Sequence, residues 1–127
     1  MESTTPDRRP LMILVAGPYR SGTFDNPDLL KANLEAMNRA ALQIYRAGHI
    51  PVVGEWFALP LVATAGSRQP GDAIFNEIFH PVAELLLQRC DAVLRIGGPS
   101  QGADLMVRIA KEQNKPVFFS PQDIVAE

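Results

Sequence analysis

Two short stretches of the chain carry residue types and spacings suited to holding a small ligand. In "ILVAGPYRSGTFDNP", Gly17 directly follows an apolar, β-branched run, and a residue without a Cβ lets a ligand approach the backbone. Pro18, Tyr19 and Arg20 come next. An arginine at that place can present a planar, permanently charged fork to a phosphate or carboxylate, or it can pair on the surface with a neighbour such as Asp25. Tyr19 can pack on a sugar or base, or simply on the protein. In "GGPSQGAD", Ser100 stands just before a helical pattern of Leu105, Met106 and Ile109, with Gly97, Gly98 and Gly102 around it. A serine there caps the helix, and the free N–H groups of the first turn attract an anion. A purely structural cap accounts for Ser100 equally well. Neither stretch is a dinucleotide fingerprint or a P-loop, because G-x-G-x-x-G and G-K-[ST] are both absent.

The elements that must position these loops follow from hydrophobic period. "LMILVAG" is continuously apolar rather than alternating, as in a strand covered on both faces, and predicts a first strand over residues 11–16. From Asn26 to Ala47, Leu30, Leu34, Met37, Ala41, Ile44 and Tyr45 recur at three- and four-residue spacing, which predicts a helix capped by Asn26, with Pro27 first and Gly48 at its end. "HIPVVGEWF" reads as a second strand running into a loop. "ALPLVATAGSRQPGD" has no period and many breakers, so it reads as irregular. A helix over residues 73–89 follows, which Pro81 is expected to split or kink. "DAVLRIGG", "QGADLMVRIAKEQN" and "KPVFFS" read as strand, helix and strand, and "PQDIVAE" as a last short turn. Strands alternating with helices point to a three-layer α/β domain, Rossmann-like or flavodoxin-like, with a mostly parallel sheet of four or five strands. Residues 1–10 read as a flexible lead and residues 11–127 as the domain. Both ligand loops then leave carboxyl ends of strands, where such sheets bind ligands.

Composition bounds the function. The 127 residues are 46% hydrophobic and 20% charged, with a formal net charge of -2 and no acidic or basic block. A nucleic-acid polymer or an anionic membrane needs a basic patch, so neither is an expected partner. No stretch reaches the roughly 20 apolar residues of a membrane span, and "MESTTPDRRP" lacks the apolar core of a secretory signal, so the expected compartment is the cytoplasm. Cys90 is the only cysteine and is flanked by apolar residues, which reads as an inert buried thiol. His49 and His80 have no cluster of ligands around them in the sequence, so neither metal nor other cofactor is implied.

Taken in order, "ILVAGPYR", "AGHIPVV", "LLLQRCDAVLRIGGPSQGA" and "AKEQNKPVF" resemble the nucleoside 2-deoxyribosyltransferase-like superfamily, particularly its small bacterial members. The likeness covers nearly all of the chain after residue 11. It implies a doubly wound α/β fold, assembly as a homodimer or larger homo-oligomer, and a nucleoside or nucleoside 5′-monophosphate as ligand. The activity implied is cleavage or transfer at the N-glycosidic bond. Gly17, Pro18, Tyr19 and Arg20 fall on the first ligand motif and Ser100 and Gly102 on the second, and Gly98 of the same glycine-rich loop is a further expected ligand-binding residue. Asp91 falls on the aspartate that opens the third core strand, where a structural role is expected. The apolar content of "EWFALPLVATAG" and "AIFNEIFHPVAELLL" is more than one small core needs, which agrees with an oligomer.

The implied nucleophile does not carry over. The glutamate expected four residues before Ala110 is replaced by Met106, and a second carboxylate expected eight residues before Asp91 is replaced by Ala83. An ionised side chain must attack or electrostatically support an oxocarbenium-like carbon while a second acid or water serves the leaving base. A thioether can do neither. Asp104 and Glu84 are the expected relocated carboxylates, although Asp104 lies about 200° around its helix from Met106 and suits the helix dipole or a pair with Arg108. Glu77 is a more distant option. If no carboxylate has moved, the alternative is a non-catalytic nucleotide-binding or regulatory protein that kept the pocket.

Overall fold

The computed structural model describes residues 9–124. Four strands, β1 (Met12–Ala16), β2 (Ile50–Val53), β3 (Ala92–Arg95) and β4 (Val117–Phe118), form one sheet in the order β2-β1-β3-β4, with every pairing parallel. Helices α1 (Pro27–Arg46), α2 (Gly54–Thr64), α3 (Ala73–Arg89) and α4 (Gln101–Glu112) flank it, giving a Rossmann-like α/β arrangement. A 3₁₀ turn at Pro121–Asp123 follows β4. Most of the flexible lead expected at residues 1–10, and the last residues of the tail, lie outside the described residues.

The unbroken apolar run of β1 divides by parity. Ile13 and Val15 enter one core with Met37, Ala40, Ala41 and Ile44 of α1, while Leu14 and Ala16 enter a second with Leu87 of α3 and Ala103, Met106 and Ala110 of α4. Such a strand needs apolar side chains in both directions, which is why no alternation appears in its sequence. At the far end of the sheet Asp91 Oδ2 accepts from the Met12 N–H at 2.8 Å and its own N–H donates to the Met12 carbonyl at 2.7 Å, pinning the starts of β1 and β3 together. This is the structural role its place before the strand suggested.

Helix α1 begins as its sequence predicts. Asn26 Oδ1 accepts from the amides of Asp28 and Leu29, Pro27 occupies the first turn, and Gly48 turns the chain with φ 94°. The largest departure is α2, eleven helical residues where the sequence reads as the end of a strand and an irregular loop. Its apolar residues run all round the axis and Pro60 sits inside it, so neither period nor cap announces it. Burial of Ala58 and Val62 holds it in place instead. Pro81 likewise fails to split α3, which runs unbroken for 17 residues. An interior proline forfeits one backbone hydrogen bond and strains a turn, at roughly 3 kcal/mol, and the packing of these helices against one another and the sheet outweighs that.

Candidate functional site

From β1 the chain crosses to β2 on one side, and from β3 it crosses to β4 on the other, so the sheet opens a crevice beyond the carboxyl ends of β1 and β3. A cavity of about 310 Å³ occupies it, at the small end of the roughly 300–1,000 Å³ usual for small-molecule sites. Its floor is the end of β1, and α2, α3 and α4 each contribute a wall.

The two loops read from the sequence meet there, in roles that differ from residue to residue. Gly17, Tyr19, Arg20, Ser100 and Gly102 line the cavity, whereas Pro18 and Gly98 do not. Gly17 also serves packing: a Cβ there would stand 2.9 Å from Ile96 Cγ1, so the glycine lets the continuations of β1 and β3 close up. Pro18 buttresses the second loop, because a Cβ on Gly97 would stand 2.7 Å from its ring. The Gly98 carbonyl accepts from Arg95 Nη2 at 2.9 Å, which ties that loop to β3. Ser100 Oγ accepts from the Ala103 N–H at 3.1 Å and caps α4. The amides of Gln101 and Gly102 have no acceptor among the described residues, and both residues line the cavity.

Arg20 takes the second of its two readings. Its Nε and Nη2 donate to Asp25 at 2.8 and 2.9 Å, so that edge of the fork is filled from within the chain. That pair holds the guanidinium above normal basicity and the Asp25 carboxyl below the usual carboxylate range. The same guanidinium lies 5.6 Å from the centre of the Phe75 ring and against Gly71, where a Cβ would come within 2.5 Å of it. Phe75 stacks on Phe79 at 4.6 Å and Phe79 on Tyr19 at 5.5 Å. Arg20 thus ends an aromatic ladder that forms one side of the site. Burial, then the nearby Glu55 and Asp25, raise the Tyr19 hydroxyl pKa, so it stays a hydrogen-bonding phenol.

Neither expected carboxylate reaches the cavity. Asp104 is 70% exposed and accepts from Arg95 Nε at 3.1 Å, and its turn of α4 carries Met106 to the cavity instead. Glu84 follows Ala83, which lines the cavity, and is rotated about 100° away from it. Glu77 is exposed and also stands outside the lining. Cys90 is buried, and desolvation pushes its thiol up to about 11, opposed only in part by Lys115.

The carboxyl group that does line the cavity is Glu55, which the sequence reading left in a loop. It stands in the first turn of α2, only 8% exposed. Its side chain receives a hydrogen bond from its own backbone amide and has no ion pair among the described residues. Desolvation raises its pKa to about 7, with that one hydrogen bond opposing. A signal was present in the chain: Glu55 is the sole charged residue between His49 and Arg68, immediately after an apolar strand. A buried carboxyl without an ion pair is costly unless a ligand or a reaction uses it. His80 also lines the cavity, from α3. Among the described residues no group of three or more His, Cys, Asp or Glu side chains is arranged to hold a metal ion, and no helix is long and apolar enough to cross a membrane.

The sequence matches neither a protein-family model nor any curated protein.

Proposed function

We propose that this protein acts on the N-glycosidic bond of a nucleoside or nucleoside 5′-monophosphate, as an N-glycosidase or deoxyribosyltransferase, with Glu55 supplying the carboxylate. The observation that carries this reading is a nearly buried carboxyl, with no ion pair among the described residues, in a small cavity at the β1/β3 crevice. In its ionised form Glu55 attacks or supports the anomeric carbon as the bond to the base breaks. Tyr19 and Phe79 present aromatic surface to a planar base. The unused amides of Gln101 and Gly102, at the positive end of the α4 dipole, suit a phosphate or sugar oxygen. Strand order 2-1-3-4 with helices on both faces agrees with a flavodoxin-like member of the superfamily whose motifs the chain resembles. The reading includes a cytoplasmic homodimer, supported by Trp56, Phe57 and Leu61, which α2 leaves 43%, 47% and 51% exposed.

Base release from pooled nucleosides and nucleoside monophosphates, followed by chromatography, tests this directly. E55Q keeps the shape and removes the charge, so release is expected to fall by roughly 100-fold or more while binding changes little. Met106, a neutral side chain lining the cavity where the resemblance puts a nucleophile, favours one other reading: a nucleotide-binding protein without chemistry. Tight binding by a wild type that never releases base would establish that alternative.

A further inference from the structure

Cleaving an N-glycosidic bond leaves an electron pair on the base, and an unmodified purine departs readily only when one of its ring nitrogens receives a proton. The site therefore needs an acid as well as a carboxylate. The carboxyls first expected near it, Asp104 and Glu84, stand outside the cavity lining.

His80 is placed to serve. It lies one turn before Ala83, so Ala83 and His80 share the face of α3 that lines the cavity. The imidazole sits edge-on to Phe79, with ring centres 5.4 Å apart and planes at 81°. Its other side is against the first turn of α4, where a Cβ on Gly102 would stand 2.7 Å from His80 Cε1. Neither ring nitrogen has a hydrogen-bond or ionic partner among the described residues. The ring, though exposed, thus rests between Phe79 and α4, and its nitrogens remain available. Glu55 enters from α2, where a Cβ on Gly54 would touch Ala83, and His80 enters from α3 beside α4. Both side chains line the same cavity.

We infer that His80 is the general acid for the leaving base, a proposal that rests on the N-glycosidic reading of the site. The C1′–N bond breaks with its electron pair passing to the base, and the imidazolium N–H gives its proton to a purine ring nitrogen. Glu55 stabilises the sugar cation or bonds to C1′. Water or a second base then takes C1′ and releases a proton, and His80 is reprotonated from solvent. The substrate class implied is a purine 2′-deoxyribonucleoside or its 5′-monophosphate, whose departure depends on protonation.

The test compares a purine 2′-deoxyribonucleoside with its N7-methylated form, whose fixed positive charge lets the base leave without a proton. Spontaneous release is subtracted. For H80N, release from the unmodified nucleoside is expected to fall about 100-fold or more, and release from the methylated one by less than tenfold. E55Q is expected to lose both. Thermal melting of H80N and of a second variant, H80Q, checks that the exposed position leaves the fold intact. Equal losses on the two substrates, or no loss on either, overturn the role of His80 while leaving the glycosidic reading standing. A wild type that releases base from neither overturns both.

Discussion

Glu55 ties function to stability through its proton. In the unfolded chain its carboxyl ionises near 4.5, whereas in the fold burial holds it protonated up to about 7. Below 4.5 both states carry the proton and the fold has its full stability. As pH rises towards 7 the unfolded state sheds its proton first, and the fold loses about 3 kcal/mol by the time both are ionised. Tyr19, Arg20 and His80 share the cavity with it, and none is ion-paired to it. E55Q is accordingly expected to melt higher than the wild type at pH 8 and to show no such advantage at pH 4. Melting curves with the same pH dependence for both proteins would remove Glu55 from this account. Asp104 and Glu84 make the opposite prediction: D104N and E84Q are expected to leave base release essentially unchanged, since neither residue lines the cavity. M106E puts a second carboxylate into the cavity, and base release appearing only in that variant would favour a degenerate pocket over chemistry at Glu55.

Among the elements, the first turn of α4 couples helix stability to the site. Ser100 is buried and its hydroxyl accepts from Ala103, so S100A is expected to lower stability by about 1 kcal/mol in denaturant melts. Gly102 separates the two effects. Alanine is the better helix former by up to about 1 kcal/mol, yet its Cβ would stand 2.7 Å from His80 Cε1. G102A is therefore expected to displace the imidazole and depress base release even if the melting temperature rises. Crystallography or imidazole resonances of that variant would show the displacement, and unchanged turnover would deny His80 its place. The α3 cap behaves differently with pH. Amides of Phe75 and Arg68, with the Ser67 hydroxyl, hold the Asp72 carboxyl down at about 2, so its contribution persists above the ordinary 3.8 and fades as pH falls towards 2.

For the whole molecule, the open question of assembly has a direct readout. Helix α2 turns Trp56, Phe57 and Leu61 partly outward beside the cavity, and Trp56 Nε1 is steadied by Asn38 of α1 at 2.7 Å. A homodimer is expected to scatter light with a mass about twice 13.9 kDa at micromolar concentration. L61D is expected to shift that mass towards the monomer. A wild-type mass near 13.9 kDa throughout would leave α2 as an exposed apolar helix and remove the dimer from the reading.

The sequence by itself determined the parallel sheet, because β1 must be apolar on both faces and Asn26, Pro27 and Ser100 write their caps locally. It also determined that two loops meet at the carboxyl ends of strands, since a parallel sheet sends its β-to-α connections there. Tertiary structure decided what those loops do. Gly17 makes room for Ile96, and Arg20 has one edge of its fork filled by Asp25, because each answer depends on a neighbour reached only through folding. Helix α2 leaves no periodic mark in the sequence because an element apolar all round has no period, and the same holds for Glu55, whose raised pKa is a property of burial rather than of residue type. His80 stood as an ordinary lone histidine until α3 packed its ring beside α4. Local physics sets caps, periods and strand direction, while which side chains share a cavity is set by packing between segments far apart in the chain.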